Sequence, residues 1–312
     1  MAANVEPGLA QVFPDGRALI LAVDHDYDTA TGRSGVPDIQ SHLSVAADCG
    51  VDAVLAHRDV LGNPANAGKL SGLGRILQVN AAGTETDARV MVYSDLGQMV
   101  QEAASFNTHV LGFQVNFGSY HEASALEDLE VVGKAASAAD LSLFIHLYMR
   151  RRGYTFNDLP TEEYGDKVDT ALETVAGLGA KVVKLAVRDV QTFARAIETA
   201  HKLGLHIVAA GGAKTTMAGL LSNAATVMDL GADGLTVGRN AFERPVGDSS
   251  PLLDAAPGTK SPDLSDTTAQ PDRIMVRDDE ITALGALRAV VHFGIRDMGK
   301  ALVEAQTFRS AQ

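Results

Sequence analysis

Short runs of apolar residues recur along the chain, each followed by a longer stretch in which apolar positions return every three or four residues. A run of four to eight apolar residues has the length of a buried strand, and the three-to-four period is that of a helix packed by one face. Strands are expected at RALILAVDH (17–25), AVLAH (53–57), RILQVN (75–80), HVLGFQVNFG (109–118), LSLFIHLY (141–148), KVVKLAV (181–187), HIVAAGG (206–212) and GLTVGRN (234–240). Segments such as ASALEDLEVVGKAASAAD, with helical spacing, separate them. Strand and helix in alternation specify a parallel sheet with helices outside it. Eight units at roughly thirty-residue spacing match a closed (β/α)8 TIM barrel, where six or seven would suggest an open doubly wound sheet.

Residues 244–276 carry Pro, Ser, Asp and Gly without apolar periodicity and read as a long loop after the eighth strand. The segment 281–305 regains helical spacing and reads as the last outer helix, broken near Gly294. The expectation is one barrel domain over 1–312, with 244–276 a loop insertion. Barrels of ~250 residues fold around one core, so the length does not require a second domain.

Composition narrows the partners. Hydrophobic residues at 46% and charged residues at 21% suit a chain that buries a sizeable core. A formal charge of −13 repels nucleic acid and anionic membrane surfaces, which leaves a small molecule as the expected partner. The single Cys49 allows no internal disulfide and sits among apolar residues as a core group would. No signal peptide and no run of ~18 apolar residues is seen, so a cytoplasmic protein is expected.

In a barrel, side chains at the carboxyl ends of the strands share one mouth, so polar residues that end apolar strands are the candidates for chemistry. Lys184 stands inside VVKLAV, where apolar neighbours would desolvate an ammonium and push its pKa below ~10.4. A neutral lysine attacks carbonyl carbon; the competing role is an ion pair with a carboxylate of the next strand. Lys181, three residues earlier, falls on the opposite face. Asp24 ends the first strand and Asp26 lies on the same side, placing two carboxylates for proton transfer, for holding a substrate hydroxyl or for orienting Lys184. His25 alternates away and is read as structural. Tyr148 closes the fifth strand with His146 on its face, as hydrogen-bonding or proton-shuttling groups or as packing at the barrel top.

Gly211 and Gly212 with Lys214, and Gly238 with Arg239, follow the seventh and eighth strands, where barrels hold phosphate on backbone amides and a short helix. The nine histidines show no close metal-ligand spacing, and no nucleotide P-loop is present; no metal and no cofactor are expected.

With these residues in place, 17–243 resembles the class I aldolases of the archaeal and bacterial fructose-bisphosphate aldolase type, related to deoxyribose-phosphate aldolase. LAVDH, AVLAH and VNFGSYHEASALEDL resemble the family's first, second and fourth strands, and GLGAKVVKLAV its Schiff-base strand. IVAAGGAKT and GADGLTVGRNAFE resemble its phosphate-binding ends. The resemblance implies Lys184 as the Schiff-base lysine, Asp24 as the active-site aspartate and Tyr148 as the proton donor and acceptor. It further implies Gly211, Gly212, Gly238 and Arg239 as the phosphate cradle, and a homo-oligomer. The chain departs at Asp26, where glycine is usual, at His146, where fructose-bisphosphate members carry an aromatic residue, and at MRRRG, where a Pro-Arg-Gly follows the tyrosine.

The expected activity is therefore Schiff-base cleavage or formation of a carbon–carbon bond in a phosphorylated ketose, with His146 and Asp26 also touching substrate. Alternatives are a transaldolase-like synthase or thiolase using the same lysine, a lysine-independent isomerase, or a non-catalytic phosphate-binding barrel.

Overall fold

A computed structural model describes residues 7–25, 34–82, 89–150, 160–212, 214–243, 271–295, 300–301 and 304–305. Among these residues ten strands follow in chain order: β1 (Ala18–Ala22), β2 (Ala53–Ala56), β3 (Gly74–Gln78), β4 (Asn80–Ala82), β5 (Arg89–Met91), β6 (Val110–Phe117), β7 (Ser142–Met149), β8 (Ala180–Ala186), β9 (His206–Ala210) and β10 (Gly234–Val237). Eight of them close a parallel barrel in the order β1-β10-β9-β8-β7-β6-β3-β2, and β4 and β5 pair antiparallel as a small separate hairpin. All eight expected strands are present, and the (β/α)8 barrel follows. Among the described residues no helix is long and apolar enough to cross a membrane.

Among the described residues they are accompanied by the α-helices α1 (Pro7–Ala10), α2 (Ile39–Asp48), α3 (Arg58–Leu61), α4 (Leu96–Ser105), α5 (Glu122–Ala138), α6 (Thr161–Gly177), α7 (Val190–Lys202), α8 (Met217–Asp229), α9 (Arg239–Phe242) and α10 (Pro271–Phe293). Side chains start several of them. Asp95 accepts from the Gly97 amide at 2.8 Å, Asp189 from Thr192 at 2.8 Å and Thr216 from Gly219 at 3.2 Å, which satisfies amides that an α-helix leaves without partners.

Helix α10 corrects the expected loop boundary. It begins at Pro271, ten residues before the expected helix and inside the segment 244–276, of which 244–270 lies outside the described residues. Proline is well placed in a first helical turn, because its fixed φ suits the helix and its missing N–H has no partner to lose there. The run PDRIMVRDDE is too polar for apolar periodicity to reveal it. The expected break is at Gly294, whose φ of +65° lies in the left-handed region that ends helices. Cys49 is buried, 2% exposed, against α10.

Strand alternation sorts the barrel into two sets of side chains. Leu19, Leu21, Val54, Leu77, Val183 and Ile207 join the cluster shared with the outer helices. Ala18, Ile20, Ala22, Ala53, Leu55, Ile76, Val110, Phe144, Val182 and Val208 fill the lumen. Leu9, Val12 and Phe13 from the N-terminal segment belong to that inner set, and Phe13 stacks on His206 at 4.7 Å, so the segment plugs the amino end of the barrel. Truncating a lumen aromatic such as Phe144 to Ala costs about 3–5 kcal/mol by analogy with other cores.

A one-residue irregularity phases β8. Leu143 pairs with Ala180 but Phe144 pairs with Val182, so Lys181 is the extra residue of a bulge. From there Val182 and Lys184 alternate into the lumen.

Candidate active site

Followed toward the carboxyl end, six of the eight inward columns turn from apolar to polar. Ala18, Ile20 and Ala22 lead to Asp24, and Ala53 and Leu55 to His57; Ile76 leads to Gln78 and Asn80, Val110 to Gln114 and Asn116, Phe144 to His146 and Tyr148, and Val182 to Lys184. The amino half is thus an apolar core and the carboxyl half a polar chamber, the arrangement by which barrels separate stability from chemistry.

Lys184 is 7% exposed. Its register partners are His146 on β7 and Val208 on β9. Among the described residues no carboxylate lies within ion-pair distance of its Nζ, which removes the strand-to-strand ion pair that competed with a chemical role. Asp24 is electrostatically coupled to it. Burial alone would raise the Asp24 carboxyl, but attraction to Lys184, and then to His146, His25 and His57, overrides burial and brings it down to about 2. His146 is itself pushed well below the usual histidine range, first by burial and then by Lys184, with Asp24 pulling only partly the other way. At neutral pH His146 is therefore uncharged, and Lys184 is the largest attraction felt by Asp24.

The Nδ1 of His146 lies 3.9 Å from Asp24 Oδ2, and His25 Nδ1 3.8 Å from Asp24 Oδ1. The structure thus gathers Lys184, His146 and Asp24 into one group. Tyr148 stands two residues beyond His146 on β7, partly exposed toward the mouth, with the Arg150 guanidinium 5.6 Å from its ring centre. Asp26, Arg151 and Arg152 lie outside the described residues.

A row of amides, not singled out in the sequence, lines the wall formed by β3, β4 and β6. Gln78 Nε2 donates to the Asn80 carbonyl at 3.0 Å and to Asn80 Oδ1 at 3.1 Å. Asn80 Nδ2 donates to the Gln114 carbonyl at 2.9 Å, and the Gln114 side chain reaches Asn116 Oδ1 at 3.2 Å. A Cβ on Gly112 would crowd Gln78 Oε1, so glycine there leaves room for the amide in its present place. His57 is 1% exposed, places Nδ1 3.2 Å from the Gln78 carbonyl, and is pushed down by burial.

Gln78 Oε1, His146 Nε2 and Thr236 Oγ1, on lumen-facing positions, are among the buried polar atoms that have no hydrogen-bond partner among the described residues. In the lumen such atoms are free to bond a bound molecule or water.

The two glycine segments also meet. Asn240, 4% exposed, donates from Nδ2 to the Gly211 carbonyl at 2.7 Å, and its Oδ1 accepts from the Thr215 amide at 3.0 Å. It ties the loop after β9 to the short α9 that opens at Gly238. Gly212 has a φ of +67°, and the space beside Gly238 is filled by His25, which packs inward against Phe242 with ring centres 6.2 Å apart. Arg239 is exposed at the start of α9, and Lys214 is exposed and ion-paired with Glu243. Asn240 was legible only as part of GRN; its partners lie more than twenty residues away in sequence.

A (β/α)8 barrel with a buried lysine beside a carboxylate, an imidazole and a phenol at the carboxyl ends of its strands has the make-up of an enzyme of lysine-based carbonyl chemistry. The chain belongs to the DeoC/LacD family of aldolases, whose model matches residues 18–244. It is accordingly a lyase of carbon–carbon bonds. It is 28% identical over 249 residues to the class 1 fructose-bisphosphate aldolase of Thermoproteus tenax, covering 78% of this chain and 90% of that one. It is 26% identical over 240 residues to 2-amino-3,7-dideoxy-D-threo-hept-6-ulosonate synthase of Halobacterium salinarum, covering 75% and 84%. Its fold is similar to that of an archaeal fructose-1,6-bisphosphate aldolase whose catalytic lysine carries the carbinolamine of its substrate, with a TM-score of 0.63 and 25% identity over 77% of this chain and 94% of that one.

Proposed function

We propose that this aldolase is a class I enzyme that breaks or forms a carbon–carbon bond in a phosphorylated ketose through a Schiff base on Lys184. The observation that carries this reading is the buried Lys184 without an ion-pair partner among the described residues, set beside His146 and Asp24 in the polar half of the barrel. The amine adds to the ketone, water leaves, and the iminium draws off the electron pair of the bond that breaks. Tyr148 and Asp24 move protons at the substrate hydroxyl and at the enamine carbon. The segments 211–214 and 238–239, braced by Asn240, hold the phosphate with Lys214 and Arg239 supplying positive charge, and so fix the carbonyl within reach of the lysine. His146 and Asp26 complete the substrate contacts. The buried single cysteine fits a reducing cytoplasm, and assembly as a homo-oligomer rests on the family resemblance alone.

The test is cleavage of fructose 1,6-bisphosphate, followed by release of triose phosphate in the presence of EDTA. The wild type turns over and Lys184→Met does not; turnover retained by Lys184→Met overturns the reading. A second reading, a transaldolase-like synthase on the same lysine, is favoured by the comparable likeness to the heptulosonate synthase; the departure at His146 within the family resemblance points the same way. Turnover that requires an acceptor other than a triose phosphate selects it.

A further inference from the structure

Resting on the Schiff-base reading, we propose that His146 is a catalytic acid and base for the imine: it takes the proton that Lys184 sheds and returns it to the hydroxyl that leaves the carbinolamine.

The geometry separates this role from packing. His146 and Lys184 are register partners on adjacent strands and both point into the lumen. The ring is 1% exposed, lies edge-on to Phe144 with centres 5.3 Å apart, and directs Nδ1 toward Asp24 at 3.9 Å. Its Nε2 is buried without a hydrogen-bond partner among the described residues. An aromatic residue that served only to fill this space would carry no unpaired nitrogen, and burying one is costly. The nitrogen is where an acid and base must be: on the neighbour of the attacking amine, in the chamber that receives the carbonyl.

The groups that face the imidazole are Lys184 from β8, Asp24 and His25 from the end of β1, and His57 from the end of β2. Burial and Lys184 keep the ring neutral, so Nε2 is a free acceptor, and the ionised Asp24 stabilises the imidazolium while it exists.

The steps balance. Nε2 takes one proton from the Lys184 ammonium, the amine nitrogen so freed bonds to the carbonyl carbon, and the π pair moves to oxygen. That oxygen receives the second amine proton and becomes the carbinolamine hydroxyl. The imidazolium returns its proton to this hydroxyl, the carbon–oxygen bond breaks, water leaves, and the nitrogen lone pair closes the iminium. One water is released and His146 ends neutral.

Enzyme-dependent loss of carbonyl oxygen-18 from labelled dihydroxyacetone phosphate into water, taken above the spontaneous exchange through the ketone hydrate, reports this sequence without any carbon–carbon cleavage. His146→Phe keeps the ring volume, and His146→Gln keeps a polar side chain without acid–base capacity. Each is expected to slow the isotope loss by about 100-fold or more, the usual worth of a positioned acid and base, while prolonged borohydride trapping still labels Lys184. Should one variant fail to fold, as judged by its thermal transition, the other carries the test. Isotope loss at the wild-type rate in a folded His146 variant overturns the relay; if Lys184→Met abolishes the exchange in the same assay, the Schiff-base reading stands without it. Exchange at the wild-type rate in Lys184→Met overturns both.

Discussion

Two histidines at opposite ends of the barrel sit next to carboxylates and differ in almost everything else. At the carboxyl end, His146 lies 3.9 Å from Asp24, faces Lys184, and leaves Nε2 without a partner among the described residues. At the amino end, His292 of α10 lies between Asp15 and Asp52, with ring nitrogens 2.9 and 2.8 Å from their oxygens. Asp52 also accepts from the Leu19 amide at 2.6 Å, and the Arg17 guanidinium donates to the Val291 carbonyl at 2.7 Å, so α10 is fastened to the start of β1 and β2. His146 is driven down by burial and by a cation. For His292 burial pulls down, but the bonds and charges of Asp52 and Asp15 outweigh it and raise the group. The same side chain is thus neutral and under-bonded in the polar chamber, and inclined to charge and fully bonded where the barrel is held together. Asp233, before β10, repeats the pattern of the amino end: burial raises it, and bonds from His206, Ile207 and His201 bring it below its ordinary value.

The contrast predicts that changes at the mouth move turnover and changes at the base move stability. Tyr148→Phe, at the mouth, lowers kcat by about 10²- to 10⁴-fold with an unchanged unfolding midpoint, if Tyr148 moves a proton in the reaction; steady-state kinetics beside urea unfolding checks it, and an unaltered kcat removes that role. His292→Ala, at the base, lowers the free energy of unfolding by about 2 kcal/mol, because Asp15 and Asp52 lose their shared partner, while kcat and KM stay at wild-type values. A kinetic effect of that variant in the folded protein would break the division between the two ends. Asn240→Ala frees the two glycine segments from each other and is expected to raise KM for a phosphorylated ketose by about tenfold, the worth of one well-made hydrogen bond, with kcat little changed.

The smallest effect is in pH. His292 has a folded value above its ordinary 6.5, so folding is favoured while it binds a proton. Its contribution is complete below about 6.5 and is lost as pH rises through the raised folded value. Asp15 is shifted the other way, below 3.8, and stays ionised throughout this window. The gap in unfolding free energy between wild type and His292→Ala therefore narrows from pH 6 to pH 9, and a gap that widens contradicts the assignment.

Much of this was legible in the chain because strand alternation is local. FIHLY and VVKLAV place His146, Tyr148 and Lys184 on inward positions, and LAVDH does so for Asp24. The same column logic, carried one step further along ILQVN and FQVN, would have found Gln78, Asn80, Gln114 and Asn116; amides inside apolar runs give a weaker signal than a lysine does. What alternation does not carry is pairing at a distance. Asn80 meets Gln114 across 34 residues and His292 meets Asp52 across 240, and such partners are set by the closure of the barrel and the return of α10. The N-terminal plug was hidden for a related reason: Leu9, Val12 and Phe13 are too few and too irregular to show a period.

The most direct test of the Schiff-base site is mass spectrometry after borohydride reduction in the presence of dihydroxyacetone phosphate, with peptide mapping of the product. The account predicts one reduced adduct per chain, on the peptide that carries Lys184. A folded protein that forms no adduct, or one whose adduct falls on another lysine, contradicts it.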